Sequence, residues 1–334
     1  MIQYLSMKKP LISVLIPAYN EENYLEPCLK SVLRQSLSPK LYEIVVIDNN
    51  STDRTAEIVR KYSPRVKLVR EKKQGVVFAR IRGVEKSRGE IIAFTDADCL
   101  APKNWLSKKL QQFQENPQIV GVGGPFLFPS PSPLGKMVEK ISFYSYPFLK
   151  VIPCANLSFK KKAYFQCGGF NPKINIAEEA DLSLKLQKIG VVVNDKHNPI
   201  WTSPRRLLSS NQIIFGLKYL YCYFLLRAFG KPVFFHFKPI RDRGFLKNHF
   251  PVKKSFAPAL GFSFLAVMII IFVLFALSRP KVSQALLNKK SSSKTEEFLR
   301  RKITSLEESS QKINSKIQKY LPKDRLDRPS FFQK

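Results

Sequence analysis

The chain has 334 residues and carries 56 Lys or Arg against 25 Asp or Glu, a formal charge of +31 at pH 7. That length accommodates one domain of about 200 residues that buries a sizeable core, plus a further region. Basicity on this scale points to nucleic acid or to an anionic lipid surface. No nucleic-acid-binding motif is visible, so nucleic acid is excluded as the expected partner. The five cysteines lack C-x-x-C spacing, which fits reduced cytosolic thiols rather than a disulfide framework or a zinc site.

Along the chain, ISVLIPAYNEENYL reads as a buried strand, Ile12 to Ile16, broken by Pro17. Ala18, Tyr19 and Asn20 then form a turn, and Glu21 and Glu22 open a helix. A second strand, YEIVVID, ends in Asp48, and the following Asn49 to Asp53 both turn the chain and cap the helix TAEIVRKY. A third strand, VKLVR, precedes Gly75 and the helix VFARIRGVEKS. The fourth, Glu90 to Thr95, runs into Asp96-Ala97-Asp98 and a Pro-started helix. Strand and helix alternate four times, which predicts an α/β fold with a doubly wound, mostly parallel sheet and polar residues gathered at one edge. Ligands bind outside the carboxyl ends of such strands. Two Asp one residue apart can hold a hard divalent cation there against a diphosphate, or simply cap the next helix.

Farther on, GVGGPF leads into PSPSPLG instead of a helix, so it is no dinucleotide fingerprint, and no phosphate loop of the G-x-x-x-x-G-K-[ST] type occurs. Glu178, Glu179 and Asp181 stand in the first turn of AEEADLSLKLQKIG, where acids favour the helix dipole or can act as a base toward a hydroxyl. The histidines His197, His236 and His249 are scattered, and His197 reads as a loop residue. Arg205 and Arg206 in SPRRL suit phosphate recognition or a basic lipid-facing pair.

Taken together, P-A-Y-N-E-E (Pro17 to Glu22), V-I-D-N-N-S-T-D (Val46 to Asp53), A-R-x-x-G (Ala79 to Gly83), D-A-D (Asp96 to Asp98), G-G-F (Gly168 to Phe170) and E-E-A-D-L (Glu178 to Leu182) resemble a family 2 glycosyltransferase with the GT-A fold, over about residues 10 to 205. The resemblance implies an inverting, metal-dependent transfer of a sugar from a nucleotide-diphosphate sugar. By that resemblance Pro17, Ala18, Tyr19 and Glu21 hold the nucleoside, Asp48 accepts from the base, and Arg80 sits near the phosphates. Asn50, Arg205 and Arg206 join this donor-binding set. Asp98, supported by Asp96, carries Mn2+ or Mg2+. Where the family has Glu-Asp this chain has Glu178-Glu179; Glu179 is the implied base, with Asp181 close enough to share the role. A lipid-phosphate acceptor, already ionised, needs no base, as in a polyprenyl-phosphate sugar synthase. A non-catalytic nucleotide-sugar-binding scaffold is the alternative of another class.

Residues 257–278 contain no charged residue and are long enough to cross a bilayer core of ~30 Å. The preceding stretch from Arg205 to Lys254 is basic, opposed only by Asp242. This predicts a single-pass protein of the cytoplasmic membrane with a cytosolic domain, and a membrane-associated, lipid-linked acceptor. The expected organisation is a GT-A domain over 1–205, a basic juxtamembrane region over 206–254, the span over 257–278, and a basic tail over 279–334. Ile213 to Gly230 is apolar and aromatic, but Lys218 and Arg227 fall on opposite helix faces at about 100° per residue, so an interfacial helix is preferred to a second span. In the tail, Leu299, Ile303, Leu306, Ser310, Ile313, Ile317 and Tyr320 alternate steps of four and three, which suits either a short coiled coil joining two copies or a loose amphipathic tail.

Overall fold

A computed structural model describes residues 9–129, 131, 133–174, 176–206 and 212–229. It divides into two compact units, Met1–Pro204 and Arg205–Lys334. The apolar run 257–278, the basic stretch beyond 230 and the tail heptads lie outside the described residues.

The first unit is built in chain order from β1 (Ile12–Ala18), α1 (Leu25–Leu33), β2 (Tyr42–Asp48), α2 (Thr55–Arg60), β3 (Val66–Arg70), α3 (Val76–Lys86) and β4 (Ile91–Phe94). There follow β5 (Cys99–Leu100), α4 (Trp105–Glu115), β6 (Ile119–Gly123), β7 (Phe126–Leu127), α5 (Pro133–Tyr144) and α6 (Tyr146–Leu149). The unit closes with β8 (Ser158–Lys160), α7 (Lys161–Gln166), α8 (Glu178–Leu186), β9 (Val191–Asn194) and β10 (Ile200–Thr202). Seven strands form one sheet in the order β3-β2-β1-β4-β8-β6-β9, and β5-β10-β7 form a small second one. Every neighbouring pair in the large sheet is parallel except those made by β8, which is antiparallel to β4 and to β6.

The sheet is buried on both faces, and strand alternation sorts its side chains. Ile12, Val14, Ile16 and Ala18 of β1 join Ile44 and Val46 of β2 against Leu25, Leu29, Ile58, Trp105 and Leu106. Leu15, Val45, Ile47 and Phe94 pack on the other face against Val77, Ala79, Ala163, Leu182 and Leu186. Thus α1, α2 and α4 cover one face and α3, α7 and α8 the other. Each Leu, Ile or Phe removed from water here contributes ~1.5–3 kcal/mol. The glycine of A-R-x-x-G is explained by this packing: a Cβ on Gly83 would come within 2.8 Å of Ile47 Cδ1 and 3.2 Å of Leu15 Cδ1. In G-G-F, Gly169 has φ +60°, and a Cβ there would lie 2.4 Å from Tyr164.

Among the boundaries that differ from the sequence reading, three bear on the site. β1 continues through Pro17 to Ala18. Leu15 accepts from Thr95 on the β4 side and Ala18 accepts from Asn49 on the β2 side, so the missing Pro17 N–H faces the β4 side, where pairing has already ended at Leu15. Glu21 and Glu22 precede α1 in a turn, with the Glu21 carbonyl accepting from Tyr24 and Leu25. Pro102 likewise stands outside its helix and opens a turn, its carbonyl accepting from Trp105 at the start of α4.

Topology fixes which ends meet. β6 rises to the carboxyl edge of β1, β2 and β4, and antiparallel β8 descends from it, so the intervening chain returns along that edge. α3 and α8 each run from the carboxyl edge back to the start of the next strand, β4 and β9 respectively. Their N-terminal turns therefore stand at the same edge. In the second unit, α9 (Gln212–Phe229) covers the Ile213 to Gly230 stretch except its last residue, and buries Lys218, Tyr221, Cys222 and Tyr223. No helix among the described residues is long and apolar enough to cross a membrane.

Candidate active site

The order β2-β1-β4 reverses chain direction of travel at β1, a switch point at whose carboxyl end a crevice forms. The loops that leave β1 and β2 are knitted together there. Asn20, at φ 56°, accepts Thr52 N at 2.8 Å and donates its own N–H to Ser51 Oγ at 3.0 Å. Glu21 N donates to Thr55 Oγ1 and Glu22 N to Asp53 Oδ2. Pro17 and Ala18 end β1, Tyr19 follows in the half-buried turn, and Asp48 ends β2, 4% exposed, with Oδ1 accepting from Ser51 N at 3.1 Å.

Asn50 adopts φ 65° and gives its side-chain amide to the Lys72 carbonyl at 2.6 Å. Its neighbour Asn49, which the sequence reading treated as part of a turn and helix cap, is buried and its side chain makes three bonds: Nδ2 to the Glu71 and Lys73 carbonyls and Oδ1 from Gly75 N. The two amides therefore hold the loop that launches α3.

That helix carries Arg80 inward, 5% exposed. One guanidinium nitrogen, Nη1, donates to Glu178 Oε1, and Nη2 lies 3.5 Å from Asp96 Oδ1. Nε has no hydrogen-bond partner among the described residues. Burial works against the charge on Arg80, but Cys154, Glu178, Asp96 and Glu179 more than offset it, so its pKa is raised. The arginine thus links the first turn of α8 to the acidic pair that follows β4.

Asp96 is half-buried and Asp98 is 5% exposed. The turn between them is closed by Cys99 N donating to the Asp96 carbonyl at 3.1 Å, and Ser203 N ties the Asp98 carbonyl to the end of β10 at 3.1 Å. Neither aspartate caps a helix: α4 begins at Trp105 with Asn104 in the cap position. Ligand atoms of Asp96, Asp98 and Cys99 lie within 4.8 Å of one another. Burial, then Asp98 and Asp96, pushes the Cys99 thiol well above its ordinary range. Cys28 Sγ meets the Asp96 carbonyl at 3.5 Å, and burial with the same two carboxylates raises its thiol too.

At α8, Ala177 takes a left-handed conformation, φ 61°, and turns the chain into the helix. Glu178 is buried against Arg80, while Glu179 is only half-buried. Asp181 Oδ2 lies 2.7 Å from Lys185 Nζ, and the same amine donates to the Gly169 carbonyl at 3.1 Å. Asp181 is therefore engaged with the G-G-F turn. His197 sits in the exposed turn after β9, its carbonyl accepting from Lys108 Nζ at 2.6 Å. Arg205 and Arg206 fall in the short turn Pro204–Arg206, and the compact second unit begins with them.

Residues 13–166 match the model of the glycosyl transferase family 2. Among curated relatives, the chain is 36% identical over 126 residues to glycosyltransferase AglE of Haloferax volcanii, covering 36% of this chain and 41% of that protein. It is 28% identical over 122 residues to a Methanococcus voltae dolichyl N-acetyl-alpha-D-glucosaminyl phosphate 3-beta-D-2,3-diacetamido-2,3-dideoxy-beta-D-glucuronosyltransferase, covering 34% and 38%. The matched chain thus spans less than half the length of these relatives. Mannosyltransferase PcManGT from Pyrobaculum calidifontis, solved with GDP-Man and Mn2+, superposes with a TM-score of 0.57 at 18% identity over 91% of this chain and 85% of that one. The fold is therefore GT-A-like.

Proposed function

We propose that this chain, which carries a glycosyl transferase family 2 domain over residues 13–166, is a glycosyltransferase that moves a sugar from a nucleotide-diphosphate sugar to a membrane-associated, lipid-linked acceptor with inversion. The observation that carries the reading is the convergence, through Arg80, of the Asp96–Asp98 pair and the Glu178–Glu179 turn at one edge of the sheet. A leaving diphosphate needs positive charge beside it, and an acceptor hydroxyl needs a base. Those two requirements are supplied by adjacent groups here.

The nucleoside is held by Pro17, Ala18, Tyr19 and Glu21 against the end of β1, with Asp48 accepting from the base. Asn49 and Asn50 fix the loop that positions α3. The carboxylates of Asp96 and Asp98 fit a divalent cation, Mn2+ or Mg2+, by their spacing and charge, and the cation when bound supplies Lewis-acid stabilisation to the departing diphosphate. Glu178 holds Arg80 and is not available as a base. Glu179, one residue on and half-buried, takes the proton of the acceptor hydroxyl as its oxygen bonds to the anomeric carbon and the bond to the diphosphate oxygen breaks. Asp181 is a positioning residue for the helix through Lys185.

The lipid-linked acceptor is supported by the uncharged run 257–278 and the basic residues before it, and by the dolichyl substrate in the name of the Methanococcus relative. We place the domain on the cytosolic side of the cytoplasmic membrane, against an anionic surface, by the basic flank of that run. Copies would associate through the 299–320 tail heptads. Glu-Glu in place of Glu-Asp favours a second reading within the class, a polyprenyl-phosphate sugar synthase, in which Glu179 is dispensable.

The test is to offer UDP-, GDP- and dTDP-sugars to the purified full chain together with membrane lipid extract. Sugar entering the lipid fraction from one donor supports the proposal. Neither transfer nor nucleotide release from any donor would sink it.

A further inference from the structure

We propose that Cys99 is a third protein ligand of the cation site, converting the aspartate pair into an oxygen, oxygen, sulfur cluster that takes thiophilic divalent ions such as Cd2+ and Zn2+. The proposal rests on the reading of Asp96 and Asp98 as the cation-holding pair.

The sulfur is already in place. Cys99 Sγ lies 3.8 Å from Asp98 Oδ1, with the thiol directed at that carboxylate oxygen. All three donor atoms fall within 4.8 Å of one another. Tetrahedral Zn2+ with one sulfur at ~2.3 Å and oxygens at ~2.1 Å separates sulfur and oxygen by about 3.6 Å, so side-chain adjustments of about an ångström close the cluster. The backbone that carries the three groups is held on both sides: Cys99 N bonds to the Asp96 carbonyl and Ser203 N to the Asp98 carbonyl. Thr202 pairs with Cys99 across the β5–β10 ladder. A preformed set of this kind saves the ordering cost of assembling ligands around an ion.

Hard ions gain little from a sulfur and bind through the aspartates. A borderline or soft ion gains a metal–sulfur bond, and the thiol proton leaves to solvent as that bond forms. Cys28 supplies the internal control. Its sulfur is equally buried but is aimed at the Asp96 backbone carbonyl at 3.5 Å, and it falls outside the donor cluster.

The probe is Cd2+ added to the purified full chain, read by ultraviolet thiolate-to-cadmium charge-transfer absorption, with bound Cd2+ and Mn2+ counted by equilibrium dialysis. The wild type is expected to bind one Cd2+ with the absorption. Cys99→Ser and Cys99→Ala lose it and lower Cd2+ affinity by at least about 10-fold while changing Mn2+ affinity no more than about 2-fold, and Cys28→Ser retains it. The alanine variant covers the case in which a buried serine hydroxyl disturbs folding. Cd2+ bound without thiolate absorption would overturn the proposal and leave the aspartate site standing, as would absorption that survives in Cys99→Ala. No binding of either ion would overturn both.

Discussion

Arg80 and Glu178, 98 positions apart in the chain, form a buried ion pair between the second turn of α3 and the first residue of α8. The pair lies under the aspartate cluster, since a second guanidinium nitrogen approaches Asp96. Two charges taken from water cost several kcal/mol each unless both are matched. Removing one partner is therefore the damaging change. Arg80→Met is expected to destabilise the chain by roughly 3–5 kcal/mol, and Arg80→Met with Glu178→Met to recover most of that loss. Chemical denaturation of the single and double variants measures it; a double variant no more stable than Arg80→Met would remove the pairing account.

Glu178 and Glu179 should separate cleanly. Glu179→Gln keeps the shape and the ion pair, so stability and donor affinity stay at wild-type levels while transfer to a hydroxyl acceptor falls by about 100-fold or more. Glu178→Gln leaves Arg80 without its full counter-charge, so it lowers the midpoint of unfolding. Steady-state transfer assays with thermal unfolding on both variants distinguish them. Undiminished transfer by Glu179→Gln would favour an ionised lipid-phosphate acceptor.

The fold was legible where local rules act alone. YEIVVID and VKLVR are β2 and β3 residue for residue, because each is an apolar run closed by turn residues. Pro17 was read as a strand break, yet β1 passes through it, since only the sheet reveals that its missing donor faces an unpaired side. The antiparallel entry of β8 depends on where the chain crosses the edge after β6, and no local pattern encodes that. In the site, the acid pairs were visible as motifs, whereas the Arg80–Glu178 link and the approach of Cys99 to Asp98 are tertiary facts. Asn49 stood in view beside Asp48, but its three bonds to the 71–75 loop need the neighbouring strand to exist.

Lys109 on α4 gives a pH dependence with a definite sign. It is 1% exposed, its amine donates to the Asn156 carbonyl at 3.1 Å and faces the Val122 carbonyl at 3.4 Å, and it lies 5.4 Å from the Trp105 ring. Burial, opposed by Asp195, pushes its pKa down to about 7, against an unfolded value of about 10.4. Between those values the unfolded chain binds more protons than the folded one, so stability rises with pH across that window and falls as pH drops toward 7. Unfolding free energies of the wild type and Lys109→Met between pH 7 and pH 10 should show this slope only in the wild type. Parallel curves would remove Lys109 as its source.

The central claim, that Asp98 holds the cation whose charge is needed to expel a nucleoside diphosphate, is tested most directly by nucleotide release from the accepted donor by the purified full chain and by Asp98→Ala. The account predicts release that requires Mn2+ or Mg2+, stops with chelator, and falls by about 100-fold or more in Asp98→Ala with the fold intact by circular dichroism. Wild-type turnover by a folded Asp98→Ala variant would contradict it.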